Sequence, residues 1–314
     1  KDGKVVLDVS DTKDVMEEYP VKHGNVLVSA HSVWVFESLD PIGAIPQTTV
    51  TFTTRIDAGG NIPTVAANYN VKKFLSTVSS LRKRFDKTRE IDAFNRFQII
   101  EKMKNIKKKS ARTFTEEFKD VEEKEKVEGA FPLSDTWLKV DGKGKGWGKT
   151  TFVMGASLLE AAAFFWDFNS RAHRDTTGDI ERVVEEQKGE WEKVLRRKQR
   201  FGKKEMELKN LLKLHKIDED TIVITMEAKK EQQQGGLFDS GLIGRLESNL
   251  DSSFKKKKEA LDATEDITIR FKKRGEYKTR IEFVTRLNLG VKLSKETTRN
   301  ALERHLDEAT EAER

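Results

Sequence analysis

The chain has 314 residues, carries 59 basic and 53 acidic side chains for a net charge of +6, and is 36% charged and 36% apolar. That is length for roughly two domains, with a polar composition for the size. The longest apolar run, from Ala161 to Trp166, falls far short of the ~20 residues of a bilayer-spanning helix. The absence of cysteine excludes disulfides, thiolate metal sites and cysteine nucleophiles.

The chain opens Lys1-Asp2-Gly3-Lys4 with no apolar h-region, so no secretory signal is expected at this start and a cytoplasmic location, with peripheral membrane contact as an option, is expected. The lack of an initiator Met is what a piece of a longer protein would show. The basic residues cluster locally, at 104–109, 196–200 and 255–258. Such runs mostly solubilise, and nucleic acid is not expected as a partner.

Residues 4–10 read as a short strand, 11–24 as a polar loop, and 25–39 as a second strand that alternates through Trp34 and Phe36. Residues 48–57 alternate again. Val50, Phe52, Thr54 and Ile56 share one side, and Thr49, Thr51, Thr53 and Arg55 the other. Asp57-Ala58-Gly59-Gly60-Asn61 breaks the strand, because paired glycines supply turn conformations. Pro63 suits a first helical position. The period then changes to 3.6, with Ala67, Val71, Phe74, Leu75, Val78, Leu81 and Phe85 on one face. Ile91, Phe94, Phe97 and Ile100 continue a helical pattern to about residue 105.

Residues 107–146 are rich in Lys and Glu and are expected to be a charged linker, with a solvated helix in 115–127. A second unit is expected at 147–314. It opens with a strand at 149–154 and a helix from 157 to about 171. Ser157 and Glu160 there have the capping-box spacing. Four antiparallel strands follow at 181–187, 190–199, 204–216 and 219–227. An insertion at 229–264 precedes a hairpin of 266–273 and 277–288, and Ser294 caps a last helix with Ala301, Leu302, Leu306 and Ala309.

The two units end alike. Residues 48–85 correspond to 277–314, and 4–10 to 219–227, which points to duplication. Residues 1–106 would then be the C-terminal half of what the second unit shows whole, with one sheet edge exposed.

The run Arg55-Ile56-Asp57-Ala58-Gly59-Gly60-Asn61-Ile62-Pro63, with Leu81-Arg82-Lys83-Arg84-Phe85 behind it, resembles the end of a START (StAR-related lipid-transfer) domain. Trp147-Gly148-Lys149 and Ala163-Phe164-Phe165-Trp166-Asp167-Phe168 are similar to the beginning of another, as in the multi-START proteins of protists and algae. The resemblance implies an α+β helix-grip fold, a curved antiparallel sheet around a long C-terminal helix. It also implies a non-catalytic module holding one lipid, a sterol or phospholipid, between helix and sheet, with no cofactor. Candidate ligand contacts are Phe52, Val71, Phe74, Leu75 and Val78 in the first unit, and Leu158, Ala162, Phe165 and Trp166 in the second. Periodicity alone does not separate a tunnel wall from an ordinary core. The alternative is a regulatory scaffold whose START-like units are filled.

Other patterns carry less. Gly142-Lys143-Gly144-Lys145-Gly146-Trp147-Gly148-Lys149-Thr150 imitates a phosphate-binding loop, but its glycine spacing and its position before a strand both fail. No two of the five histidines stand at metal-ligand spacing. Glu185-Glu186 and Asp218-Glu219-Asp220 are adjacent on strand ends and turns, where neighbours point to opposite faces and form no acid–base pair. Within the insertion, Ile243 and Leu246, with Leu250, Phe254 and Lys255, Lys256, Lys257 and Lys258, suit an anionic membrane surface. A solvated insertion is the plain alternative.

Overall fold

In the computed structural model the described residues are 3–10, 29–57, 64–128, 133–142, 144–168, 170, 171, 173, 179–201, 204–229, 263–289 and 294–310. The turn at 58–63 and the insertion, with its candidate membrane contacts Ile243, Leu246, Lys255, Lys256, Lys257 and Lys258, lie outside them. The chain divides into two units, 1–94 and 95–314.

Unit 1 is a three-stranded antiparallel sheet of β1 (Lys4–Ser10), β2 (Ser29–Ile42) and β3 (Ile45–Asp57), in that order, followed by α1 (Thr64–Arg84). Its register sets Leu7 beside Trp34 and Trp34 beside Phe52. The Trp34 and Phe52 rings stack at 4.2 Å, a cross-strand pair that fixes the register. Every residue of β1 is exposed. The helix expected to continue past residue 85 is a separate element, α2 (Thr88–Met103), whose residues from 95 on belong to unit 2, where Met103 is buried in the core. The Asp86 carboxylate accepts hydrogen bonds from the Thr88 backbone and hydroxyl, which starts a new helix.

Among the described residues, unit 2 has nine antiparallel strands. In chain order its elements are α3 (Phe114–Lys119), β4 (Glu125–Val127), β5 (Asp135–Gly142), β6 (Lys145–Met154), α4 (Leu158–Trp166), β7 (Asp179–Gly189), β8 (Glu192–Phe201), β9 (Lys204–Lys216), β10 (Thr221–Ala228), β11 (Thr264–Gly275), β12 (Lys278–Asn288) and α5 (Lys295–Thr310). The spatial order is β4-β5-β6-β12-β11-β10-β9-β8-β7. The chain's last strand therefore closes against its early hairpin, while α4 and α5 pack against the sheet. This is a helix-grip α+β fold: a large curved antiparallel sheet with a C-terminal helix laid across it.

The linker expected at 107–146 is corrected by this sheet. The stretch holds α3 and two paired strands, so unit 2 begins well before residue 147. On β5, Thr136, Leu138 and Val140 are buried in alternation with Trp137 and Lys139, a stripe too short to stand out among lysines. The helix in 115–127 is short and not solvated: Phe114 and Phe118 pack with Val284, Trp137 and Trp147 on the outer face of the sheet. The helix after Ser157 keeps its capping box but stops at Trp166, not near 171. The buried Lys193 Nζ donates to the Trp166 carbonyl at 2.7 Å and closes that end.

The inner face is apolar. Phe152, Leu195, Leu212, Ile222, Ile224, Met226, Ile269, Phe271 and Ile281 are almost fully buried with α4 and with Leu306 and Ala309 of α5. Burying each such large side chain stabilises by about 1.5–3 kcal/mol. The helix comes this close because β6 presents glycines. A Cβ on Gly146 would stand 2.6 Å from Leu302 Cδ1, and one on Gly148 3.0 Å from Leu306 Cδ1.

Candidate functional site

The strand period decides which side chains of unit 2 reach the space under α5. On β8, Leu195, Arg197 and Gln199 point inward while Arg196 pairs outside with Glu181 and Glu185. Arg182 on β7, Asn210 on β9 and Glu265 on β11 share that inward phase. His305 occupies the buried stripe of α5, between Ala301-Leu302 and Leu306-Ala309. A polar cluster thus sits inside an apolar interior.

Glu265 holds it together. One carboxylate oxygen accepts from Arg197 and the other meets His305 Nδ1, while the Glu265 carbonyl accepts from Asn210 Nδ2 at 2.7 Å. Burial alone would raise the carboxyl. The cationic His305 and Arg197 outweigh it and hold Glu265 well below the usual carboxylate range. For His305, burial opposes the charge and Glu265 outweighs it, so its pKa is raised. The arrangement is a buried ion triad.

Beside it, Gln199 Nε2 donates to Asp179 Oδ1 at 2.6 Å, and Arg182 Nε lies 3.1 Å from Asp179 Oδ2 without hydrogen-bond geometry. The Arg182 guanidinium rests on the Phe168 ring at 3.9 Å, and burial lowers its pKa to about 10. Among the described residues, Arg182 Nη1, Arg197 Nε and Gln199 Oε1 are buried with no hydrogen-bond partner. Buried polar atoms are ordinarily paired, so these atoms together mark a place where polar chemistry is left over.

The candidates read from sequence divide between the units. Phe52 is half-buried against Trp34. Val78 is half-buried, whereas Val71, Phe74 and Leu75 are 38%, 50% and 47% exposed on α1. Leu158, Ala162, Phe165 and Trp166 are buried in unit 2, with Phe165 5.4 Å from Phe271 and Trp166 5.8 Å from Trp191. The last four come together and line the interior at the α4 end. Arg182, Arg197, Gln199, Asn210, Glu265 and His305 were missed. Their signal is a charged or amide residue in the buried phase of a strand or helix.

An open cleft of about 430 Å³ lies at the end of the sheet, with Lys145, Trp147, Asp266, Arg286 and Asn288 among its walls. Arg286 pairs there with Asp266 at 2.6 Å and covers the Phe114 and Trp147 rings. Among the described residues no group of three His, Asp or Glu could hold a metal ion, and no helix is long and apolar enough to cross a membrane.

No family model and no curated protein matches the sequence. Solved structures similar to it include human STARD10 (11% identity, TM-score 0.46, covering 63% of this chain and 76% of that one) and human StAR-related lipid transfer protein 5 (10%, 0.44, 71% and 97%). The human StarD13 lipid transfer and protein localization domain is also similar (9% identity, TM-score 0.43, 66% and 99%). So, at 12% identity and a TM-score of 0.31 over 98% and 72%, is the di-domain aromatase/cyclase BexL of the BE-7585A biosynthetic pathway.

Proposed function

We propose that unit 2 is a non-catalytic carrier for one amphipathic lipid, held between α5 and the sheet. The lipid's polar group meets the Arg182–Gln199–Arg197 edge of the buried cluster, and its apolar body runs toward Phe165 and Trp166. The observation that carries this is the set of buried polar atoms of Arg182, Arg197 and Gln199 that have no hydrogen-bond partner among the described residues, in an apolar interior. Each methylene moved from water into such an interior gains about 0.8 kcal/mol, so tight binding requires no reaction. A hydroxyl or acid group at the cluster then fixes orientation. Carriage of this kind fits a cytoplasmic protein.

A second reading has support in the ring contacts of the α4 end, where Phe165 meets Phe271 and Trp166 meets Trp191. A filled interior would make the unit a scaffold. Native mass spectrometry of the purified chain separates the two. A carrier shows one added mass in the lipid range, released on denaturation and reduced in Gln199→Leu. The bare polypeptide mass, unchanged after incubation with mixed sterol and phospholipid vesicles, supports the scaffold and removes the carrier.

A further inference from the structure

Arg182 and Arg197 stand directly opposite each other on β7 and β8, and both are buried on the inner face. Their guanidinia meet over one ring. The Phe168 centroid lies 3.9 Å from Arg182 Cζ and 5.9 Å from Arg197 Cζ. Like charges placed opposite on neighbouring strands repel, and burial removes the water that would screen them. The next buried pair on this ladder, Asp179 and Gln199, is hydrogen-bonded to itself and answers only part of that charge.

The buried charges do not balance. Arg182, Arg197 and the cationic His305 face two carboxylates, Asp179 and Glu265. Nearby, Lys193 is offset by the Asp167 carboxylate, and Arg304 pairs with Glu308. One positive charge is therefore left over among the described residues. Burial disfavours both guanidinia. At Arg197 the Glu265 and Asp179 carboxylates outweigh it and the pKa is raised. At Arg182 the Asp179 carboxylate does not, Arg197 adds its repulsion, and the pKa falls to about 10. The excess thus falls on Arg182.

The leftover hydrogen-bonding atoms have the same bias. Arg182 Nε and Nη1 and Arg197 Nε are donors, and Gln199 Oε1 is the acceptor beside them. A lipid hydroxyl would take the acceptor and one donor and leave the charge. A carboxylate brings two acceptor oxygens and one negative charge, and the guanidinium fork matches it in shape. Gln199 Oε1 is then left for a water.

Given the carrier role proposed above for unit 2, on which this rests, we propose that its ligand is a long-chain carboxylic acid. It is bound as the monoanion over the Phe168 ring, one carboxylate oxygen toward Arg182 and the other toward Arg197. Its acyl chain runs past Phe168 toward Phe165 and Trp166. A sterol or a zwitterionic phospholipid supplies no net charge, and a phosphate monoester dianion supplies more than the site lacks.

The test is native mass spectrometry of the full chain with equal amounts of oleic acid, oleyl alcohol and methyl oleate, which share a chain and differ in the head group. One oleic acid per chain is expected, favoured over either neutral lipid by about tenfold or more, as charge-assisted hydrogen bonds require. Arg182→Met should bring the lipids to parity, and Arg182→Lys, which keeps the charge, should retain much of the preference. The wild-type comparison decides even where a variant fails to fold. Equal adducts of acid and alcohol leave unit 2 a carrier and overturn the selection of an acid. A preference unchanged in Arg182→Met overturns it too, and so does an adduct formed only from cholesterol or phosphatidylcholine vesicles. No adduct from any of these lipids removes the carrier itself, and this proposal with it.

Discussion

Two buried histidines of unit 2 sit in opposite surroundings. His173 lies at the α4 end, its ring edge-on to Phe164, Phe165 and Phe168. Burial there, reinforced by the charges of Arg182, Arg96 and Lys193, lowers its pKa from 6.5 to about 3. His305 lies in the polar cluster, and the Glu265 carboxylate raises its pKa despite still deeper burial. The charges that act on His173 are cationic, whereas His305 meets a carboxylate. Desolvation is common to both, and the presence of a counter-charge within hydrogen-bond reach decides the sign.

The sharpest way to break this contrast is to remove one partner at each end. Arg197→Met takes away one of the two buried counter-charges of Glu265 and leaves it with His305, and up to about 3–5 kcal/mol of stability should be lost in urea denaturation. Neutralising Glu265 as well, in Arg197→Met with Glu265→Gln, should restore much of that loss, since the two residues are coupled. Phe165→Ala should lose a similar amount, about 3–5 kcal/mol, by leaving a cavity against Phe271, and Glu265→Gln should restore none of it. If the double variant is no more stable than Arg197→Met alone, the cluster is not held by its charges.

A smaller effect separates the histidines by pH. The unfolded chain protonates His173 near 6.5, but the folded chain does so only near 3, so its contribution falls as pH drops below about 6.5. His305 has the reverse sign. Its contribution is full below about 6.5 and is lost as pH rises through its raised folded value. Glu265 contributes above about 4.5 and loses its share as pH falls through its depressed folded value. Between about pH 7 and about pH 5.5 the two histidines therefore oppose each other. His173→Phe should gain about 1 kcal/mol over wild type across that interval, read from urea midpoints. His305→Gln should shift the same difference the other way. Parallel pH profiles for the two variants would show that the counter-charge does not set the sign.

Much of this architecture was legible in the sequence. The strands of unit 2 alternate with one buried face, and the hairpin registers follow from that period, so β7 to β12 emerge within a few residues. β5 was not legible, because three inward residues between lysines make no pattern until β6 lies beside them. The end of α4 was hidden because Phe168 is apolar and buried although it lies beyond the helix. Leu158, Ala162, Phe165 and Trp166 were readable as an inward face, while the polar cluster was not. Arg197 and Glu265 stand on β8 and β11, and only the strand order brings them together. Val71, Phe74 and Leu75 look like a buried stripe on period alone, but burial also needs a second surface.

The least effect belongs to charges that never leave water. Arg299, on α5 like His305, pairs through Nε with Glu303 at 2.8 Å and through Nη1 with Glu125 at 3.0 Å. Both carboxylates are partly solvated and the arginine side chain is 39% exposed, so attraction is screened and side-chain entropy offsets much of the gain. Arg299→Ala should therefore change stability by less than about 0.5 kcal/mol in urea denaturation. That difference should shrink in ~1 M salt, where the Debye length is about 3 Å, whereas the loss in Arg197→Met should persist. A loss from Arg299→Ala as large as that from Arg197→Met would locate the hold on α5 at its outer surface, and the buried triad would then be a passenger of the helix instead of its anchor.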